Sequence, residues 1–192
     1  MHYASTIAGM AFANGFLGIC HSMAHQLGAM FGIPHGMANA LMITYVIRYN
    51  ATDAPFKQAT FSQYKYPNAK WRYARIASYL GLPGEDEAAK VNQLIIAIEA
   101  LKQQVGIPSS LKEALGDRAA EFQARLGELA DQSFDDQCTG SNPRYPLISD
   151  LKSLLMDAYH GRLSEEFATE ISAALGHTDH PTEIGHDLHP VS

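Results

Sequence analysis

The first 47 residues contain no Asp, Glu, Lys or Arg, and Arg48 is the first charged side chain. A stretch without formal charge is expected to be buried. Its apolar positions recur at helical spacing and predict a helix over residues 5–30. Glycine costs about 1 kcal/mol per helical site relative to alanine, so the glycines within it ask for close approach to another element or a ligand. Gly32-Ile33-Pro34 is a break, and Pro34 suits the first turn of a second helix ending near Asn50. Residues 51–67 read as a long loop anchored by Phe56, Phe61, Tyr64 and Tyr66. Helices follow over 68–80, stopped by Gly81 and Pro83, and over 85–105, stopped by Gly106 and Pro108. Ser110-Leu111-Lys112-Glu113 has the pattern of a capping box and opens a short helix. An amphipathic helix over 117–133 precedes an irregular stretch, 135–146, that contains Gly140, Pro143 and Pro146. A helix over 147–159 and a weaker one over 164–175 complete the pattern. From Gly176 onward the composition is that of a tail. Strand alternation is not sustained anywhere and no internal repeat occurs. The expectation is an all-α, bundle-like domain of about seven helices.

Composition narrows the function classes. A chain of 192 residues, 46% hydrophobic, is long enough for one domain with a real core. Its net charge of −6 argues against general attraction to nucleic acid or an anionic membrane. Asn14, His21, His25 and Gln26 interrupt the apolar N-terminal run, which makes it a poor membrane span. No basic segment precedes that run, so the layout is not that of a signal peptide. The two cysteines, Cys20 and Cys138, are far apart and form no CxxC pair. A reducing cytoplasm is the expected compartment.

The candidate chemistry lies inside the uncharged stretch, in His21, His25 and His35. A buried imidazole needs a hydrogen-bond partner or a metal. His21 and His25 are four apart and share a helix face. His35 follows the break, where the chain can fold back toward them. Imidazole suits zinc and divalent iron, but a complete site needs at least three protein ligands. Either a distant carboxylate folds in, or further ligands lie outside this chain. Other groups have plainer readings: Cys20 as packing, Cys138 as a buried thiol, Asp135 and Asp136 as cap or loop carboxylates, and Arg144 as a loop-fixing hydrogen-bond donor. His177, His180, His186 and His189 belong to a solvated tail.

Gly18-x-x-His21-x-x-Ala24-His25-x-Leu27-Gly28-x5-Pro34-His35-Gly36 resembles the signature of the iron-containing alcohol dehydrogenase family. Ala38-Asn39-Ala40 and the run from Asp136 through Cys138 to Arg144 are similar to later segments of that family. Phe61-Ser62-Gln63-Tyr64 and Arg144-Tyr145-Pro146-Leu147-Ile148 are most similar to the alcohol dehydrogenase part of bacterial bifunctional acetaldehyde–alcohol dehydrogenases. The resemblance extends to about Arg162. It implies a helical catalytic domain over 1–162, with 163–192 as a weak helix and a polar tail.

Further expectations come from the resemblance alone. Family members pair an N-terminal nucleotide-binding α/β domain with a helical domain and hold a divalent metal, usually Fe2+ and sometimes Zn2+, on one Asp and three His. His21 and His35 match two of those ligands. His25 matches a residue thought to relay the proton, so the resemblance overrides the pairing of His21 with His25 that helical spacing alone suggests. Leu17 matches a position near the nicotinamide of NAD(H), and Phe12 and Cys138 match positions of the substrate pocket. The implied activity is interconversion of acetaldehyde or similar short aldehydes with primary alcohols. Implied partners are that small substrate, the nucleotide-binding domain, and further copies in an oligomer or filament. The Asp-x-x-x-His helix that supplies the other ligands is not in this sequence, nor is a GxGxxG loop. The chain is therefore expected to be the helical half of such an enzyme and inactive alone. A non-catalytic assembly module and a stand-alone metal-binding protein are the alternatives.

Overall fold

The computed structural model describes residues 1–53 and 68–176. The predicted loop anchors Phe56, Phe61, Tyr64 and Tyr66 and the tail histidines lie outside the described residues. The chain forms α1 (His2–Gly15), α2 (Ile19–Phe31), α3 (His35–Asn50), α4 (Ala69–Tyr79), α5 (Glu87–Gln104), α6 (Leu111–Leu115), α7 (Ala119–Asp135), α8 (Ile148–His160), α9 (Arg162–Glu166) and α10 (Ala168–Gly176). Short 3-10 turns cover Gly116–Arg118 and Thr139–Ser141. No strand occurs among the described residues, so the all-α expectation holds.

Local signals place most helix ends where the sequence puts them. Gly32 closes α2 in the left-handed region, at φ 70, and its N–H donates to the Gly28 carbonyl at 2.9 Å. The Asp86 carboxylate caps α5 by accepting from the Ala89 N–H at 2.7 Å. Ser110 Oγ accepts from the Glu113 N–H at 3.1 Å. The Glu113 carboxylate reaches back to the N–H and hydroxyl of Ser109, each at 2.9 Å, so the capping box closes one residue earlier than its pattern suggests.

The predicted helix over residues 5–30 is broken. It becomes α1 and α2, which meet at 109°. Phe16 lies at φ 60 and is the one non-glycine residue with positive φ among the described residues, a conformation that costs about 1–3 kcal/mol. Contacts from the distant turn at 139–142 hold the break. The Ser141 hydroxyl donates to the Leu17 carbonyl, and the Asn142 side-chain oxygen accepts from the Ile19 N–H at 3.3 Å. Gly18 is required here, because a Cβ on it would sit 2.6 Å from that same oxygen. No residue of α1 is buried, and Tyr3, Ile7, Met10, Phe12 and Phe16 are exposed. No single described helix is long and apolar enough to cross a membrane; α1 and α2 would pass only as a bent pair.

The core lies among α2, α3, α5, α7 and α8. Ile19, Met23, Leu27, Leu41, Met42, Ile95, Leu129, Leu151 and Leu155 are all essentially solvent-free. Phe122 stacks on Tyr159 at 5.1 Å and tilts against Phe31 at 5.8 Å, tying α7 to α8 and α2. The core runs on past Arg162, where Leu163, Phe167 and Ile171 are buried.

A polar network is sealed beside it. Glu99 on α5 is 1% exposed and Lys102 is 5% exposed. Glu99 accepts from Lys102 and from Thr44 on α3, both at 2.6 Å, and from Ser164 on α9 at 2.7 Å. The carboxylate thus joins three helices.

Two outcomes follow. Gly18→Ala must displace Asn142 and should cost about 1–3 kcal/mol, read as a lower urea midpoint. A wild-type midpoint would show that the turn yields freely. Lys102→Met strands a buried carboxylate and should cost roughly 3–5 kcal/mol. Breaking the exposed Arg48–Glu166 pair should cost no more than about 1 kcal/mol. Equal losses in the two variants would contradict the burial argument.

Candidate active site

Ile19, Met23, Leu27 and Phe31 take the core side of α2. This leaves His21 and His25, one turn apart, on its flank. His35 is the first residue of α3 and is exposed. The break at Gly32–Pro34 folds it back onto them. Ring centroids lie 5.4 Å apart for His21–His35, 5.4 Å for His25–His35 and 6.2 Å for His21–His25. The three sequence-predicted imidazoles therefore form one cluster. At its far end α2 is held by Arg118, which donates to the Met30 carbonyl at 2.9 Å and lies over the Phe31 ring.

Partners separate the three rings. His25 Nδ1 lies 2.9 Å from Asp136 Oδ2. The other oxygen, Oδ1, accepts from the Cys138 N–H at 2.9 Å. Burial raises the Asp136 pKa, but the hydrogen bonds from the Cys138 N–H, His25 and the Cys138 side chain outweigh it and hold the carboxyl below its usual range. The pKa of His21 is lowered, first by burial and then by His35 and His25, with Asp136 pulling the other way. His35 Nε2 lies 3.1 Å from the Asn39 side-chain nitrogen. The Asn39 side-chain oxygen accepts from the Cys20 thiol at 3.4 Å, which fixes the orientation of the amide.

Both thiols are held protonated. Burial pushes Cys20 up to about 12. Burial, then Asp136, pushes Cys138 up to about 11. This agrees with the readings of Cys20 as packing and Cys138 as a buried thiol, and not with a nucleophile.

A cavity of about 680 Å³ opens beside His21, with Leu17, Cys20, Ile43, Tyr73 and Asn142 among its lining residues. Leu17 thus reaches the site region. Cys138 does not line this cavity; it stands by His25 and Asp136, and the ligand atoms of these three residues lie within 4.8 Å of one another. Phe12 lines neither place and is exposed on α1.

Two residues were missed as site residues in the sequence. Asn39 is four residues after His35 on a helix, a spacing that signals contact. Asp136 carries only a cap signal, and nothing local links it to a histidine 111 positions away. Arg144 fixes its loop as expected, donating to the Tyr49 carbonyl at 3.1 Å and lying 3.9 Å over the Tyr49 ring.

As metal donors, His21 and His35 come from two helices, with ring centroids 5.4 Å apart. The lowered pKa of His21 favours the neutral form that coordinates. They fit two positions of a divalent ion that takes imidazole ligands. His25, Asp136 and Cys138 lie closer together, but their carboxylate is already bonded to His25 and their thiol is protonated.

Residues 1–159 match the family model described as "Fe-containing alcohol dehydrogenase family, C-terminal". The chain is 59% identical over 164 residues to the bifunctional aldehyde-alcohol dehydrogenase of Escherichia coli, covering 84% of this chain and 18% of that protein. It is 50% identical over 159 residues to the aldehyde-alcohol dehydrogenase of Clostridium acetobutylicum, covering 83% and 18%. The solved iron-containing alcohol dehydrogenase from Thermococcus thioreducens superposes with a TM-score of 0.66 at 34% identity, over 83% of this chain and 36% of that one. The chain thus spans less than a fifth of the two bifunctional relatives. With the histidine signature, the helical fold and the family model in agreement over residues 1–159, the chain belongs to the iron-containing alcohol dehydrogenase family and corresponds to its C-terminal, helical part.

Proposed function

We propose that this chain is the helical side of an NAD(H)-linked, iron-dependent alcohol dehydrogenase site that interconverts acetaldehyde or similar short aldehydes with primary alcohols. The observation that carries the reading is the gathering of His21, His25 and His35 beside an apolar cavity. His21 and His35 are the metal-holding residues and His25 is the proton-handling one. The neighbouring His25–Asp136–Cys138 group is not the metal set, because a protonated thiol and an engaged carboxylate bind a divalent ion poorly. Iron is the metal assigned. Zinc, although compatible with imidazole, finds no support in the family or its matched relatives.

When bound, the metal supplies Lewis-acid polarisation of a carbonyl oxygen, and the nicotinamide supplies hydride chemistry. This chain does the rest. Asn39 steadies His35 through the 3.1 Å contact at Nε2. Leu17 and Ile43 wall the cavity and exclude water from the reacting end of a short aliphatic substrate. Cys138 borders His25, and His25 passes the proton between the substrate oxygen and solvent.

The exposed apolar side chains of α1, Phe12 included, are assigned to contact with the nucleotide-binding half. A homo-oligomer or filament and a cytoplasmic setting, which suits two free thiols, complete the proposal. Neither an assembly-only module nor a stand-alone metal-binding protein is favoured, since neither accounts for the dehydrogenase signature.

A chimera tests the activity. This chain replaces the 59% identical segment of the E. coli bifunctional enzyme, and NADH consumption with acetaldehyde and ferrous iron is followed. Turnover is expected in the chimera and none from this chain alone. A folded, iron-loaded chimera without turnover would overturn the reading. In the same chimera His21→Ala and His35→Ala should lose iron and activity together. His25→Ala should keep its iron and lose turnover about 10²-fold, near the lower end for general acid–base catalysis. Loss of iron from His25→Ala with retention in His35→Ala would reverse the assignment.

A further inference from the structure

The two oxygens of Asp136 face different partners, and the geometry gives each oxygen one role. Oδ1 accepts from the Cys138 N–H at 2.9 Å, and Oδ2 lies 2.9 Å from His25 Nδ1. An ionised carboxylate has no proton and can only accept. The shared proton therefore sits on His25 Nδ1. The Asp136 side chain is 11% exposed and that of His25 is 35% exposed, so the contact is sheltered enough for a carboxylate–imidazole bond to dominate ring orientation. No hydrogen bond to His25 Nε2 is present among the described residues, which leaves that nitrogen available.

We propose that Asp136 is a positioning residue that fixes His25 in the Nδ1–H tautomer, so that Nε2 carries the lone pair that takes up the proton. This deepens the dehydrogenase reading and rests on it for the meaning of the lone pair. The structural claim about Asp136 and His25 stands or falls separately. Through Cys138 the same carboxylate also fixes the loop that borders the site, so orientation and loop shape depend on one side chain.

Asp136→Asn separates positioning from loop capping. The Cys138 N–H must still find an acceptor, so the amide oxygen of Asn stays with it. The amide nitrogen is then turned toward His25 Nδ1 and can only donate. A mere loop cap would survive this change with His25 unaffected. A tautomer-setting partner would reverse His25 to Nε2–H.

The measurement is a long-range 1H–15N correlation on the 15N-histidine-labelled full chain above about pH 8, where an ordinary imidazole is neutral. The His25 signal is assigned by its loss in His25→Ala. Wild-type His25 is expected as the Nδ1–H tautomer. Asp136→Asn should show a majority of Nε2–H with a melting midpoint close to wild type, since the Cys138 cap is kept. Wild-type His25 in the Nε2–H form, or a folded Asp136→Asn that keeps Nδ1–H, would overturn the proposal. If Asp136→Asn does not fold, the wild-type tautomer decides alone. Neither iron nor turnover enters this readout, so an inactive chimera would overturn the dehydrogenase reading and leave the tautomer result intact.

Discussion

The clamp made by the Asn142 side chain is the constraint on which the rest of the site depends. Its oxygen accepts from the first N–H of α2 at 3.3 Å and lies 3.4 Å from the Asn50 amide nitrogen at the end of α3. Its nitrogen donates to Asn50 Oδ1 at 2.8 Å and to the Arg144 carbonyl at 2.6 Å. Both asparagines are buried, so any unmade bond would leave a desolvated polar atom at a cost of about 1–3 kcal/mol. The clamp therefore has one good arrangement. That arrangement fixes where α2 begins, where α3 ends and how the loop after α7 crosses between them.

Site geometry follows from that fixed start. With α2 anchored at Ile19, His21 and His25 have set positions two and six residues along it. The same loop, at 136–144, brings Asp136 to His25 and puts the Ser141 hydroxyl on the Leu17 carbonyl. Thr139 Oγ1 lies 2.7 Å from both Ser22 Oγ and the Ser133 carbonyl, closing the loop onto α2 and α7. The short irregular stretch, not the long helices, thus carries most of the information about the site. This is a usual division of labour, in which rigid helices supply the frame and a hydrogen-bonded loop sets the functional groups.

Charge is placed with similar economy. The first 47 residues bring no formal side-chain charge to the cluster, and Asp136 is the carboxylate in contact with it. The buried charges of Glu99 and Lys102 sit in a separate network that joins α3, α5 and α9. His21 therefore responds to burial, to the other two imidazoles and to one acidic neighbour.

The sequence by itself determined the class of the fold, most helix ends and the identity of the key histidines. Those features are local. Helical spacing, Gly32, Asp86 and Ser110 act on residues within a turn or two of themselves, and the histidine signature spans nineteen positions. Only the tertiary structure decided the break at Phe16–Gly18, the need for glycine at position 18 and the partnership of Asp136 with His25. Each depends on atoms more than a hundred residues away along the chain. The helical spacing of apolar positions over residues 5–30 suggests one continuous helix, and no proline there interrupts it. The bend wins because folding gives the Leu17 carbonyl and the Ile19 N–H partners on the distant loop, in place of the bonds a straight helix would make.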